Sequence, residues 1–322
     1  VMGGDEVYPL SSQENYQERL RDPYNWAFPD PEAESEKGPL VYAIPGNHDW
    51  YDGLVLFLGL FTRRDRLHLG GWRSRQGRSY FALQLTEDWW LWAVDAQLDN
   101  TIDQPQRDYF SAIAEAMEPD ASVILCGPEP GWLYTRDPDS RSLQVYDLIG
   151  DILRAKCPMA KIPLVLSGDT HHYSRYIGQT SGIQFVTAGG AGAFLESTHQ
   201  LKDEIAINRG DPNVTLEWCE DKTLLHAYDA ATGATAAWPS RTESLDMLRG
   251  VLAFSFLNPG FAAALGCVYA LFGLVALGIG YLPAAFVALI VAAAKGKDYT
   301  RRREVGRPSA KLLSFVNGLA HS

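Results

Sequence analysis

Leu40-Val41-Tyr42-Ala43-Ile44-Pro45-Gly46-Asn47-His48-Asp49 is the stretch of sequence that decides the fold of this chain. Its first six residues form an apolar run typical of a buried strand, and its last four turn away from the strand end. An amide oxygen, an imidazole and a carboxylate therefore leave one strand together. Ligands of open α/β sheets bind outside the carboxyl ends of strands. Because an amide oxygen can ligate a hard divalent metal and an imidazole can face a phosphate, this turn is a candidate site.

Two further turns that follow strands carry side chains of the same kind. Near the start, Val1-Met2-Gly3-Gly4-Asp5 places a carboxylate just after a strand end. Far downstream, the apolar residues 162–166 lead into Ser167-Gly168-Asp169-Thr170-His171-His172. Carboxylates, an amide and imidazoles on three separate turns are the mixture of donors that two metal ions need. Such a pair of ions suits the in-line displacement of a phosphoryl group.

In this order the three segments resemble the calcineurin-like metallophosphoesterase family, whose pattern is Asp-x-His, Gly-Asp, Gly-Asn-His-Asp/Glu, a lone His and Gly-His-x-His. The resemblance extends from about residue 1 to residue 199 and is most specific at residues 46–49. It implies an α/β fold, a layered β-sandwich flanked by helices. It also implies a metal-dependent hydrolase that cleaves a phosphomonoester or phosphodiester, with two divalent ions and hydroxide attack on phosphorus.

The resemblance also assigns roles to the metal donors. Asp5 bridges the two ions, Asn47 and Asp169 complete one of them, and His171 completes the other.

Four more residues receive roles around the substrate. His48 acts as the acid for the leaving group or stabilises the developing phosphoryl charge. Asp49 orients His48 through a hydrogen bond. His172 faces the substrate or supports a ligand. Bacterial members resembling this chain have a glycine-rich turn followed by Thr-His, which Thr198-His199 matches, so His199 lies near the site or else on the surface.

The chain departs from the family pattern at three positions. It opens inside a strand with no Asp-x-His upstream, so we expect a fragment truncated at its N-terminus. The loop after residues 122–125 has no His, and Glu129 or Cys126 would take its place, with the oxygen donor Glu129 the better candidate. Asp169 stands at the position of the first His of Gly-His-x-His. A site of Asp5, Asn47, Asp169 and Glu129 donates only oxygen, which favours Mn, Mg or Fe over Zn.

Composition limits the partners of the chain. The 322 residues are 46% hydrophobic and carry a net charge of −11. Residues 251–322 contain seven basic and two acidic residues, so the first 250 residues carry −16. This acidic body argues against nucleic acid as a partner, but bound metals would still attract a phosphoester substrate. The four cysteines show no paired spacing, which indicates a reducing compartment.

Strands and helices alternate through the first 200 residues, as in a layered α/β domain. We assign the catalytic domain to residues 1–245. Residues 11–38 are predicted to be an irregular insert, and the glycines of residues 187–194 predict a tight turn close to the metal loops. The predicted helices are 53–61, 102–117 and 142–155, and the predicted strands include 79–85, 89–95, 122–125 and 183–186.

The C-terminal region predicts a transmembrane hairpin. Residues 251–294 form 44 consecutive positions without a charge, enough for spans near 261–277 and 282–294. One tilted span with a re-entrant piece, or a buried soluble hairpin, are the alternatives. By the positive-inside rule the basic tail, 295–322, which we expect to be truncated, lies in the cytoplasm. Two spans would then leave the catalytic domain on the cytoplasmic side of the membrane, with the lipid bilayer as a partner.

A second class of function is also consistent with the departures of this chain from the family pattern. The missing lone His and the replacement by Asp169 are also expected of a catalytically degenerate phosphoesterase fold that serves as a regulatory or scaffold protein at the membrane.

Overall fold

The computed structural model describes residues 1–29, 39–63, 68–96, 101–135, 141–190, 194–207, 215–228 and 235–276. Within these residues the protein is a mixed α/β structure in which a large sheet is flanked by helices, so the predicted class is confirmed at this level. The chain divides into two compact units, Val1–Ser244 and Leu245–Ser322.

The strands of the described chain form two sheets. The smaller has three strands in the order β1-β3-β2, and the larger has nine, in the order β10-β11-β8-β9-β7-β6-β5-β4 with β12 paired to β8. The strands are β1 (Leu40–Val41), β2 (His68–Leu69), β3 (Trp72–Ser74), β4 (Phe81–Gln84), β5 (Trp89–Ala93), β6 (Ser122–Gly127), β7 (Lys161–Ser167), β8 (Tyr173–Gly178), β9 (Gln184–Ala188), β10 (Glu204–Ala206), β11 (Thr223–His226) and β12 (Ala237–Trp238).

The helices of the described chain are short in the N-terminal part and longer afterwards. They are α1 (Gln13–Asn15), a π-helical turn (Tyr16–Arg21), α2 (Asp22–Ala27), α3 (Asn47–Trp50), α4 (Val55–Phe61), α5 (Gln104–Glu115), a 3-10 turn (Gly131–Tyr134), α6 (Gln144–Lys156), α7 (Arg241–Leu257) and α8 (Pro259–Ala276).

The centre of the large sheet is parallel. Strands β5, β6, β7 and β9 pair in parallel, whereas β4, β8, β10, β11 and β12 pair antiparallel. Parallel strands end at the same edge of a sheet, so the loops that follow β6, β7 and β9 leave side by side. This edge is where the candidate site lies.

Strand β6 is buried on both faces, which explains its continuous apolar sequence. Val123 and Leu125 point into the main core, where α5 and α6 cover the sheet. Ile124 and Cys126 point to the opposite face, against Ile44 and Phe81. Burial on that second face raises the pKa of the Cys126 thiol to about 12, so this cysteine is an inert core residue.

The predicted helices 53–61, 102–117 and 142–155 correspond to α4, α5 and α6. Helix α5 begins as expected, because the Asp103 carboxylate accepts a hydrogen bond from the backbone amide of Gln106 and Pro105 occupies the first turn. Phe110 and Ala114 carry its apolar face into the main core.

The strand predicted over residues 40–45 is shorter than expected. Strand β1 stops at Val41, and the extended chain continues through a single parallel bridge between Met2 and Ala43. The Met2 amide donates to the Tyr42 carbonyl at 2.8 Å, and the Ile44 amide donates to the Met2 carbonyl at 3.2 Å. Pro45 has no amide to continue this ladder, so the chain turns at Gly46.

The prediction of an irregular insert over residues 11–38 is wrong for its first half. Residues 13–27 are helical, whereas residues 30–38 lie outside the described chain. The side chain of Ser12 caps this segment by accepting from the Asn15 amide, and Tyr16 and Leu20 bury one face of it. Tyr16 and Leu20 are four positions apart, which is the spacing of one helical face. The many polar residues of the segment made this pattern hard to recognise in the sequence.

Helices α7 and α8 end the described chain. Taken over the described residues, no helix is long and apolar enough to cross a membrane. The predicted first span, 261–277, overlaps α8, while the second span, 282–294, and the basic tail, 295–322, lie outside the described residues. The predicted domain limits stay predictions.

Candidate functional site

Three turns from distant parts of the sequence meet at the carboxyl edge of the parallel strands. The backbone amide of His48 donates to Oδ1 of Asp5 at 2.9 Å, which joins the first turn to the second. The amide of Gly168 donates to the Pro128 carbonyl at 3.1 Å, which joins the turns that follow β7 and β6. A Cβ atom added at Gly168 would lie 3.3 Å from the Gly3 carbonyl oxygen, so the first and third turns are in contact as well.

Two glycines make this close approach sterically feasible. A Cβ atom at Gly46 would collide with the Asp5 carboxylate, and one at Gly189 would collide with the Thr170 carbonyl oxygen. The amide of Gly189 also donates to the His172 carbonyl at 3.1 Å. The predicted close approach of the glycine turn to the turn after β7 is therefore confirmed at Gly189, while residues 191–193 lie outside the described chain.

Asp5 and Asp169 both have left-handed backbone conformations, with φ of 54° and 58°. Residues other than glycine rarely adopt this conformation, and such strain is concentrated at functional sites. Burial raises the pKa of the Asp5 carboxyl, against the hydrogen bond from His48 and the nearby imidazoles of His48 and His171. Burial also raises the pKa of Asp169, and the charges of Asp5 and Glu196 raise it further. Positive charge brought to this site would stabilise both carboxylates.

Asn47 and His171 supply buried atoms that lack partners. Among the described residues, neither Oδ1 of Asn47 nor Nδ1 of His171 has a hydrogen-bond partner, although both atoms are buried. A buried acceptor without a partner costs about 1–3 kcal/mol, and a cation would remove that cost. His171 lies edge-on to Phe194, with 4.3 Å between the ring centroids.

These donors fit a hard divalent ion in their chemistry: two carboxylates, one amide oxygen and one imidazole. Their arrangement is not a finished metal centre. Within the described ranges, no group of three or more His, Cys, Asp or Glu side chains is placed to hold a metal ion together.

His48 is held by groups that the sequence analysis did not identify. Its Nδ1 lies 2.7 Å from the Pro9 carbonyl oxygen. Because a carbonyl can only accept, Nδ1 carries the proton and donates it, which leaves Nε2 as the nitrogen free to meet a substrate. Tyr8 and Tyr51 flank the ring at centroid distances of 4.6 and 4.8 Å. The carbonyl of Pro9 and these rings therefore orient His48.

Asp49 is fully buried and holds the backbone of the turns. Its Oδ2 accepts from the amides of Gly46 at 3.0 Å and Glu6 at 3.2 Å, and its Oδ1 accepts from the Tyr16 hydroxyl at 2.5 Å. Burial raises the pKa of Asp49 to about 6, against these three hydrogen bonds. The expected hydrogen bond from Asp49 to the His48 ring is replaced by the contact with Pro9. A buried carboxylate beside free backbone amides binds them in preference to a more exposed ring.

Tyr134 brings two glutamates into the same neighbourhood as Asp169. Its hydroxyl lies 3.4 Å from Oδ2 of Asp169. Burial raises the pKa of Tyr134, and the negative charges of Asp169, Glu129 and Glu196 raise it further. Glu129, the predicted substitute for the lone His, therefore lies within electrostatic range of the Asp169 turn. Cys126, the other candidate, points into the core beneath it.

His172 and His199 lie in different surroundings. His172 is 3% exposed, its Nε2 is 3.2 Å from the Ser174 hydroxyl, and burial together with His226 and His171 lowers its pKa to about 4. It is therefore neutral near pH 7. Nδ1 of His199 lies 2.9 Å from the Ser244 hydroxyl, and Ser244 also accepts from the Thr198 amide at 3.0 Å. Through these contacts, residues 198 and 199 are linked to Ser244 in the first turn of α7.

The sequence analysis missed Tyr16, Tyr134, Glu196 and Pro9. Tyr134 follows the loop that was expected to carry the lone His, and Glu196 follows the glycine turn. The amide of Glu196 donates to the His171 carbonyl at 3.0 Å. Proximity to these two motifs is the signal that would have found both residues. Neither the models of known protein families nor the sequences of curated proteins match this chain.

Proposed function

We propose that this protein is a metal-dependent phosphoester hydrolase with a layered sandwich fold similar to that of the calcineurin-like metallophosphoesterases. The observation that carries the proposal is the meeting of three turns, around Asp5, Asn47 and Asp169, with the amide of His48 hydrogen-bonded to the Asp5 carboxylate. A purely structural loop cluster has no need of two half-buried, left-handed aspartates together with a buried amide oxygen that has no partner among the described residues.

Asp5, Asn47, Asp169 and His171 would hold two divalent ions, with Glu129 as a further oxygen donor and with Mn, Mg or Fe favoured over Zn. Bound there, the ions would supply positive charge at the phosphoryl oxygens and a water nucleophile of lowered pKa.

His48 would supply the proton that the leaving group needs. Its Nδ1 is occupied by the Pro9 carbonyl, so the protonated ring can donate only from Nε2. The Asp49 carboxylate fixes the turn that carries Asn47 and His48, because it accepts hydrogen bonds from the Glu6 amide and the Tyr16 hydroxyl. The roles are separate: loss of His48 removes a proton donor, whereas loss of Asp49 loosens the turn.

The test uses the full chain, purified with and without added Mn. We expect bound Mn by elemental analysis, and hydrolysis of bis(4-nitrophenyl) phosphate or 4-nitrophenyl phosphate that a chelator abolishes and Mn restores. Activity that survives complete removal of metal would contradict the proposal, as would Mn-loaded protein that hydrolyses neither ester.

The alternative is a degenerate phosphoesterase fold that acts as a regulatory or scaffold protein. One observation favours it: within the described residues no group of three His, Cys, Asp or Glu side chains stands in position to hold a metal. The same measurement separates the two proposals, because a degenerate protein would retain no metal and hydrolyse neither ester.

We also propose that residues 251–294 anchor the protein in a membrane, with the catalytic unit on the cytoplasmic side. The support is in the sequence, which has 44 positions without a charge followed by seven basic residues between Lys295 and Lys311. Two spans return the chain to the cytoplasm, whereas a single span would place the site outside.

A further inference from the structure

Two exposed tyrosines stand beside the proposed acid. The ring of Tyr8 lies 4.6 Å from the imidazole of His48, and the ring of Tyr51 lies 4.8 Å from it, measured between centroids. Tyr8 is 48% exposed and Tyr51 is 51% exposed, so each contacts the imidazole and still leaves much of its surface open to solvent. Exposed aromatic side chains next to a reacting group are candidate contacts for the substrate.

Packing in the core does not account for these two rings. Val7 and Trp50, the residues that precede the tyrosines, pack into one and the same core cluster. Those two side chains anchor their segments in the interior, whereas Tyr8 and Tyr51 are turned outward. Aromatic rings that are displayed in this way, with an apolar body and a polar tip, are typical of binding surfaces.

The segment that carries Tyr8 is fixed against the His48 turn. The Tyr8 carbonyl accepts a hydrogen bond from the guanidinium of Arg19 at 2.6 Å. The Pro9 carbonyl accepts from Nδ1 of His48, and the Ser11 hydroxyl donates to the His48 carbonyl at 2.6 Å. An aromatic side chain on a fixed backbone has few torsions left to lose, so a ligand that covers it orders little of the protein.

Tyr51 is held from the other side of the chain. It caps the C-terminal end of α3, where its amide points to the His48 carbonyl. The indole nitrogen of the preceding Trp50 donates to the Asp95 carboxylate at 2.9 Å and fixes this end of the turn. The two tyrosines therefore come from separate segments and are both fixed next to one imidazole.

Nε2 of His48 defines where the leaving group lies. Because Nδ1 donates to the Pro9 carbonyl, a proton for the leaving group comes from Nε2. The ester oxygen then lies at an edge of the imidazole, and the atoms bonded to that oxygen come within reach of Tyr8 and Tyr51. Aromatic pairs attract each other beyond the area that they bury, which an aliphatic group of the same size does not do.

We propose that Tyr8 and Tyr51 bind an aromatic ring on the leaving group of the phosphoester. The substrate class is then aryl phosphoesters or nucleotides, in preference to esters of aliphatic alcohols. This inference rests on the proposed function, because the leaving group lies beside His48 only if His48 is its acid.

Benzylphosphonate and cyclohexylmethylphosphonate form a matched pair of ligands, because a methylene group replaces the ester oxygen and only one of the two six-membered rings is aromatic. Their binding to the Mn-loaded full chain is measured by calorimetry. A second pair, the methylenephosphonate analogues of adenosine 5′-phosphate and ribose 5-phosphate, tests a nucleobase as the source of the ring. We expect the aromatic member of at least one pair to bind roughly fivefold or more tightly. Ratios close to one in both pairs would overturn the inference.

Tyr8→Leu and Tyr51→Leu should each lower this ratio, and the double variant should bring it close to one. Tyr8→Phe and Tyr51→Phe keep the rings and should retain the ratio. An effect that arose only from a misplaced His48 would weaken both ligands of a pair alike and leave the ratio unchanged. A ratio that survives the double leucine variant, or that is lost equally in the phenylalanine variants, would overturn the assignment to the two rings.

Trp89→Leu is the matched control. Trp89 is 37% exposed and lies at the amino-terminal end of the parallel strand β5, at the edge of the sheet opposite the three turns. It removes an exposed aromatic ring and should leave the ratio intact. A ratio that falls as far in Trp89→Leu as in the tyrosine variants would also overturn the assignment.

Ring preference and hydrolysis are measured on the same preparations and fail separately. Hydrolysis of the nitrophenyl esters with ratios close to one would support the proposed function and contradict this inference alone. A ratio that depends on the tyrosines in a protein that hydrolyses neither ester would contradict the proposed function and retain the ring-binding site. Absence of both hydrolysis and binding would contradict both.

Discussion

Oδ1 of Asp5 accepts a hydrogen bond of 2.9 Å from the backbone amide of His48, a residue 43 positions further along the chain. The contact uses the main chain of His48 and leaves its ring to the Pro9 carbonyl. One residue therefore does two things: its amide orients the carboxylate of the first turn, and its imidazole faces outward. A substitution of the His48 side chain leaves the first contact in place, which makes the two effects separable.

Asp5→Asn should lower the occupancy of both proposed metal ions, whereas Asp169→Ala should lower mainly the occupancy of one. Asp5 is proposed to bridge both ions, so the loss of its charge weakens both, whereas Asp169 serves one. Elemental analysis of protein loaded with Mn measures this directly. Asp151→Asn, an exposed position on α6, controls for the loss of a negative charge. Unchanged metal content in Asp5→Asn would contradict the model of two metals.

Gly46→Ala should reduce metal content and activity, because the added methyl group collides with the Asp5 carboxylate and displaces it. Gly59→Ala is the matched control. Gly59 lies within α4 and has open space around it, so alanine there should stabilise the helix by about 0.5–1 kcal/mol. Chemical unfolding and elemental analysis of both variants make the comparison. Full metal content in Gly46→Ala would show that the close approach is dispensable.

His48→Ala should lower the turnover of an ester by ~10²–10⁴, the range expected when a general acid is lost, and should leave metal content close to that of the wild type. His199→Ala should leave both close to normal, because its ring binds Ser244. Steady-state kinetics and elemental analysis test both variants. If His48→Ala loses its metal, then His48 is a ligand and its role as an acid is wrong.

Tyr16→Phe should lower the free energy of unfolding by about 1–3 kcal/mol, because Oδ1 of the buried Asp49 loses its donor. The pKa of Asp49, which burial has already raised to about 6, should rise further without this hydrogen bond. Tyr24→Phe in the neighbouring helix α2 removes a hydroxyl without removing that bond, and we expect a smaller effect. Urea unfolding compares the two, and equal losses would contradict the role given to Tyr16.

The basic residues from 295 to 311 should remain in the cytoplasm, because moving such a cluster across a membrane is disfavoured. Cysteines introduced between residues 11 and 29 and near residue 307, and labelled with an impermeant reagent, test this in intact cells. With two spans, both should react only after the membrane is opened. Reaction of the first site in intact cells would indicate a single span and an external site.

Strands and helices with simple periodicity could be predicted from the sequence. Helix α5 has a capping aspartate and an early proline, and β6 and β7 are continuous apolar runs, so each carries its own signal. The residues on the turns after these strands could be predicted as well, because polar side chains at strand ends stand out against apolar neighbours. The glycine turn at Gly189 belongs to the same group, since glycine marks close backbone approach.

Contacts between distant segments could not be predicted in this way. Tyr16 reaches Asp49 across 33 positions, and Tyr134 reaches Asp169 across 35. Such pairs depend on how the layers pack, and neither tyrosine carries a local pattern that distinguishes it from other aromatic residues. The orientation of His48 was missed for the same reason, because its partner is a backbone carbonyl that any residue type would offer.

The sheet order has a consequence for the time at which the proposed metal site could form during synthesis. Asp5 and Asn47 are synthesised before Asp169, and the Asp169 turn follows β7, which pairs with β6 in the folded sheet and brings Gly168 close to Gly3. The proposed donors are therefore dispersed from residue 5 to residue 171, and none of them is sufficient alone. Binding of both proposed metal ions would therefore follow assembly of the sheet. A chain truncated before residue 169 would be unable to bind them both.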